Sequence, residues 1–119
     1  MALLHAKPGQ AIDVQAFGAD LPGSATHAIL KTKSLELMRL VLRAGDGWPP
    51  HAIQGELTLL CIEGSVAVDA GEYSCELRAS QLVLLPARVV HAVRALADTS
   101  LLLTVQLPAG LPGSASSTD

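Results

Sequence analysis

The sequence predicts a single all-β domain, a sandwich or barrel, on three observations. Apolar segments of strand length follow one another, turn residues recur between them at roughly 8–12-residue intervals, and the gaps are too short for crossover helices. Residues 12–14 (Ile12, Asp13, Val14) read as a first short strand, and residues 28–31 as a second, closed by Thr32, Lys33 and Ser34. Residues 35–43 alternate imperfectly, with Arg39 and Arg43 on one face and Met38, Leu40 and Leu42 on the other. Leu, Met, Glu and Arg also suit a helix there. The turn at Ala44, Gly45, Asp46 and Gly47, and the similar segments after it, favour a strand. Residues 57–62 form an apolar run stopped at Glu63 and Gly64, and residues 66–68 lead into the turn Asp69, Ala70, Gly71. Residues 73–77 alternate, residues 82–85 end at Pro86, and residues 89–93 and 101–105 complete the series.

A chain of 119 residues is one domain, predicted here as an N-terminal arm over 1–10, a barrel over 11–107 and a disordered tail over 108–119. Hydrophobic residues make up 50% of the chain and charged residues 16%, more apolar character than one small core needs, so a homodimer is expected. The net charge is −3, and no basic run exceeds two residues, which argues against nucleic acid as a partner. No apolar run approaches the roughly 20 residues of a membrane helix. The first residues show no charged leader followed by an apolar stretch, and a cytoplasmic location is expected. Cys61 and Cys75 read as free thiols rather than a disulfide framework.

Two segments carry the chemistry. Residues 45–64 contain Gly45, His51 and Gly64, the last closing an Ile62-Glu63-Gly64 ending, and residues 80–95 contain Pro86 and His91. The first segment resembles the first motif of the cupin family: Gly, five residues, His-x-His, three or four residues, Glu, six residues, Gly. The second resembles that family's second motif: Gly, five residues, Pro-x-Gly, two residues, His, three residues, Asn. Here Ser80, Arg88 and Ala95 stand where Gly, Gly and Asn are usual. With their flanking strands the motifs span about residues 35–107. The resemblance implies a small single-domain cupin, a double-stranded β-helix or jelly-roll barrel of the RmlC-like type.

The same resemblance implies a divalent metal held by two histidines and a glutamate of the first motif and a histidine of the second. His51 and His91 occupy the first and last of these positions, whereas Ile53 and Leu57 fill the other two. The expected metal site is therefore degenerate: His51 and His91 are candidate ligands for no more than a weakly bound divalent transition metal. Both are also candidate general acids or bases, because an imidazole titrates near neutrality. No residues for another cofactor stand out.

Strand parity sketches the surroundings. If His51 faces inward, Ile53, Leu59 and Cys61 do too, joined by Val89, Val93, Met38 and Leu42, which describes an apolar cavity carrying two imidazoles. Glu56 has the opposite parity and would reach the site only through a bulge. Cys61 and Cys75 read as core, Tyr73 as pocket wall or interface, and Trp48 as a cap on the pocket mouth or barrel end. Arg88 reads as a solvent-exposed side chain, with an anion-attracting position over the pocket as the alternative. His5 and His27 lie outside both motifs.

The expected function is binding of a small organic molecule in an apolar pocket near His51 and His91, with little or no metal. The alternative is a small enzyme, either a metal-dependent dioxygenase or a metal-free isomerase or lyase using the two histidines as acid and base. A purely structural role would require the pocket to be filled by its own side chains.

Overall fold

The computed structural model describes residues 5–108. Nine strands follow one another: β1 (His27–Lys31), β2 (Leu35–Leu42), β3 (Gly47–His51), β4 (Leu57–Glu63), β5 (Ser65–Asp69), β6 (Cys75–Arg78), β7 (Leu82–Leu85), β8 (His91–Ala95) and β9 (Thr99–Gln106). They form a five-stranded sheet in the order β1-β2-β9-β4-β7 and a four-stranded sheet in the order β3-β8-β5-β6, every pair antiparallel. No helix among the described residues is long and apolar enough to cross a membrane.

Alternation explains the core. Leu40 and Leu42 of β2, Leu57, Leu59 and Cys61 of β4, and Leu101, Leu103 and Val105 of β9 point inward from one sheet. Val66 and Val68 of β5, Leu77 of β6, and Val93 and Ala95 of β8 meet them from the other. The ladder repeats this register: Leu57 pairs with Val105, Leu59 with Leu103 and Cys61 with Leu101.

Four sequence expectations are corrected. Residues 12–14 form no strand. The segment before β1 lies outside both sheets, and side chains rather than a ladder take up its polar groups: Arg39 Nη2 donates to the Gln15 carbonyl at 2.7 Å, and the Phe17 N–H donates to Glu63 Oε2 at 2.8 Å. Conversely, Gly47–His51 is a strand although it contains Pro49 and Pro50. It sits at the edge of its sheet, where a missing N–H is tolerated, and its register shifts between Trp48 and His51. Tyr73 lies in a 3₁₀ turn (Gly71–Tyr73), so β6 begins only at Cys75, and β8 begins at His91 rather than residue 89. The predicted tail lies almost wholly outside the described residues.

Ser80 (φ 71°) and Arg88 (φ 63°) are the two non-glycine residues with positive φ among the described residues. Both occupy positions where the second motif ordinarily has glycine, because the backbone there turns through the left-handed region. Arg88→Gly should therefore stabilise the fold by about 0.5–1 kcal/mol, the relief of strain exceeding glycine's extra chain entropy. Urea unfolding of the two proteins measures it. The Arg88 N–H, which donates to the Ile53 carbonyl at 2.7 Å, is retained in the variant.

Candidate functional site

His51 ends β3 and His91 opens β8, and the two are direct cross-strand partners. Opposed residues of an antiparallel pair share a face, so the register itself brings the imidazoles together. Their ring centroids lie 4.4 Å apart with planes inclined at 53°, and Trp48 meets His51 edge-on at 6.0 Å. Each ring is oriented in the same way. Nδ1 of His51 lies 3.1 Å from the Pro49 carbonyl and Nδ1 of His91 lies 3.2 Å from the Val89 carbonyl. A carbonyl only accepts, so each Nδ1 carries a proton and donates it, which leaves Nε2 of a neutral ring with its lone pair free.

The two rings differ in environment. His91 is 2% exposed, whereas His51 is half-buried and borders the pocket. Burial lowers the pKa of His91 from its ordinary 6.5, the hydrogen bond to Val89 opposes this, and the charge on nearby His51 lowers it further. A proton-coupled NMR titration should find one imidazole remaining neutral below pH 6.5. Because the folded-state value is the depressed one, the associated stability is complete above the unfolded-state value and is lost as pH falls through the folded one.

The pocket beside His51 has a volume of about 500 Å³, within the range of small-molecule sites. Met38 of β2, Trp48 and Pro49 of β3, Ile53, and Leu103 and Val105 of β9 supply most of its wall. It is shallower than the parity argument predicts. Leu42, Leu59, Cys61 and Val93 do face inward, but they are packed into the core rather than exposed to the cavity. Sequence reasoning missed Glu36, which also lines the pocket. Its signal was available, since Glu36 shares the inward parity of Met38 and Leu40 on β2.

The other singled-out residues fall outside this site. Glu56 is exposed beside Thr58 and Leu84 on the outer side of the five-stranded sheet, as its parity predicts. Cys61 is buried, its Sγ 3.4 Å from the Glu63 carbonyl, and burial raises its pKa, which suits a core thiol. Cys75 is half-buried, and burial raises its pKa as well. Tyr73 is exposed, the neighbouring Glu72 carboxylate raises its pKa, and it does not border the pocket. Arg88 is exposed and contributes nothing to the pocket wall. A second concavity, about 530 Å³, lies on the outer face of the four-stranded sheet beside Asp69 and Arg94; Trp48 and Pro49 border it too, but neither His51 nor His91 does.

The four-ligand metal site that the resemblance implies does not fit these residues. Among the described residues, no group of three or more His, Cys, Asp or Glu side chains is placed to hold one. Ile53 offers hydrocarbon to the cavity at the position of the resembled motif's second histidine, and Leu57, at that of its glutamate, is buried in the core.

The same two-sheet architecture recurs in solved structures of the RmlC-like cupin type, and the fold of this chain is that jelly roll. A protein of unknown function from Streptococcus pyogenes superposes with a TM-score of 0.69 at 17% identity, over 91% of this chain and 98% of that one. An RmlC-like cupin from Desulfovibrio desulfuricans gives 0.64 at 22% identity, over 87% and 99%. A cupin-superfamily protein from Desulfitobacterium hafniense gives 0.67 at 13% identity, over 70% and 76%. No protein-family profile matches the sequence, and no curated protein sequence does either.

Proposed function

We propose that this chain binds a small, largely apolar organic molecule in the pocket between β2, β3 and β9, touching His51 and needing no resident metal. The observation that carries this reading is the apolar wall itself: about 500 Å³ of open space bounded chiefly by hydrocarbon and one indole, with a free imidazole nitrogen at its side. Trp48 is the only tryptophan in the chain and borders both this pocket and the concavity beside Asp69 and Arg94, so an emission change that His51→Ala weakens reports on the pocket. Chelator-treated protein titrated with aryl alcohols of increasing chain length should change Trp48 emission. Affinity should rise by up to about 0.8 kcal/mol for each methylene buried. A response seen only after a transition metal is added overturns the reading.

The contact between two imidazoles with free Nε2 atoms supports a second reading, metal-free acid–base catalysis by an isomerase or lyase. In that case His51 touches substrate, and buried His91 keeps a neutral partner beside it. Turnover that survives chelation but is lost in both His51→Ala and His91→Ala would select this reading over simple binding.

We also infer that the protein is a homodimer. Leu82 and Leu84 of β7 are 61% and 58% exposed on the outer face of the five-stranded sheet, and Leu35 of β2 is exposed on that face too. Clustered apolar side chains of this kind mark an interface more often than isolated ones do. A Leu82→Lys, Leu84→Lys double variant should sediment as a monomer if this face is the one covered by a second copy. A wild-type monomer at micromolar concentration overturns the inference.

A further inference from the structure

Glu36 places a carboxylate in the wall of the otherwise apolar cavity. It lies near the start of β2 between two ladder partners, Lys31 of β1 and Val105 of β9, and it borders the same cavity as Met38, Trp48 and His51. It is half-buried, and no hydrogen bond or ion pair to its carboxylate is found among the described residues. No Lys or Arg lines the cavity with it. Lys31, opposite Glu36 on β1, is exposed, makes no ion pair with it and does not line the cavity. A neutral ligand would desolvate this carboxylate without supplying a charge to it, and an anionic ligand would be repelled by it.

Resting on the pocket reading above, we propose that the ligand is an organic cation, an amine whose protonated nitrogen pairs with Glu36 while its apolar body lies against Trp48, Met38 and Leu103. The chemistry of the wall is matched to that shape. A carboxylate supplies a charge-assisted hydrogen bond at one end of the cavity, and an indole face and aliphatic side chains take the hydrocarbon. With Nδ1 donating to the Pro49 carbonyl, the Nε2 atom of His51 is the ring nitrogen that faces a second N–H of the same amine or a neighbouring hydroxyl.

Three probes that share one skeleton separate the terms: 3-phenylpropan-1-amine, 3-phenylpropan-1-ol and 3-phenylpropionate, each titrated into wild-type protein and Glu36→Gln with Trp48 emission as the readout. In the wild type, the amine should bind about ten- to a hundredfold more tightly than the alcohol, the range expected of a charge-assisted hydrogen bond, and the carboxylate more weakly than either. In Glu36→Gln the amine should fall to the affinity of the alcohol, while the alcohol itself is little changed. Equal wild-type binding of amine and alcohol, or preference for the carboxylate, overturns the cation assignment and leaves the apolar pocket standing. Retention of the amine preference in Glu36→Gln overturns it as well. Failure of all three probes to change Trp48 emission overturns both the assignment and the pocket reading on which it rests.

Discussion

Gly64→Ala is expected to destabilise the barrel by at least about 3–4 kcal/mol, while Gly45→Ala should cost only about 1–2. Both glycines belong to the first motif, and both have positive φ, 85° and 89° respectively. What separates them is space. A Cβ on Gly64 would stand 2.2 Å from the Asp98 carbonyl oxygen, 2.4 Å from Thr99 Oγ1 and 2.8 Å from Thr99 Cα, whereas one on Gly45 would meet nothing within 4 Å. The obstacle at Gly64 is backbone and a committed hydroxyl. Thr99 is fully buried, and its Oγ1 accepts from the Ser65 N–H at 3.1 Å and lies 2.7 Å from the Ala97 carbonyl. Moving it would break the junction between β4 and β5 and leave buried polar groups unpaired. Urea unfolding of both variants measures the difference. Equal destabilisation would mean that backbone conformation alone makes Gly64 necessary. The positive φ of Ser80 and Arg88 already indicates that side chains are accommodated at such positions where there is room.

Those same residues mark what was legible in the sequence. Strand periodicity places the inward rows of β2, β4 and β9, because each is half-buried and alternates. Spacing in the two motifs identifies His51 and His91, and the ladder brings them together. Strand β3 was hidden because Gly47, Pro49 and Pro50 are poor strand residues everywhere except at a sheet edge. The depth of the pocket was hidden for a different reason: parity states which way Leu59 or Cys61 points, not whether the opposite sheet fills the space in front of it. Arg39 illustrates the limit again. Its parity is outward, as the sequence predicts, yet it is 3% exposed because the segment ahead of β1 covers it.

Glu63→Gln should lower stability by about 2–3 kcal/mol at neutral pH and flatten the acid limb of the stability profile. Continued from Leu57, Leu59 and Cys61, strict alternation would point Glu63 into the core. A register shift between Cys61 and Glu63 instead turns it onto the outer face of the five-stranded sheet, opposite Ser100. There Oε2 accepts from Ser100 Oγ at 2.6 Å and from the Phe17 N–H at 2.8 Å, and Oε1 accepts from the Gly18 N–H at 3.0 Å. Arg39 Nη2 lies 3.8 Å away, with its guanidinium 4.0 Å from the centre of the Phe17 ring. These contacts fasten the segment ahead of β1 to the sheet. Burial opposes ionisation of Glu63, but the hydrogen bonds from Ser100, Phe17 and Gly18 and the charge on Arg39 outweigh it and hold the carboxyl below its ordinary 4.5.

A carboxyl depressed in the folded state contributes its stability in full above the unfolded-state value and loses it as pH falls through the folded one. The wild type should therefore lose stability below about pH 4.3 more steeply than Glu63→Gln, which carries no proton to take up there. Urea unfolding from pH 3 to pH 7 reads both the offset and the slope. None of the groups in this clamp borders the cavity beside His51, so the variant should bind pocket probes at neutral pH as the wild type does. A parallel loss of probe binding would show that the segment ahead of β1 supports the pocket through the sheet. Equal acid sensitivity of the two proteins would place the acid-labile group elsewhere.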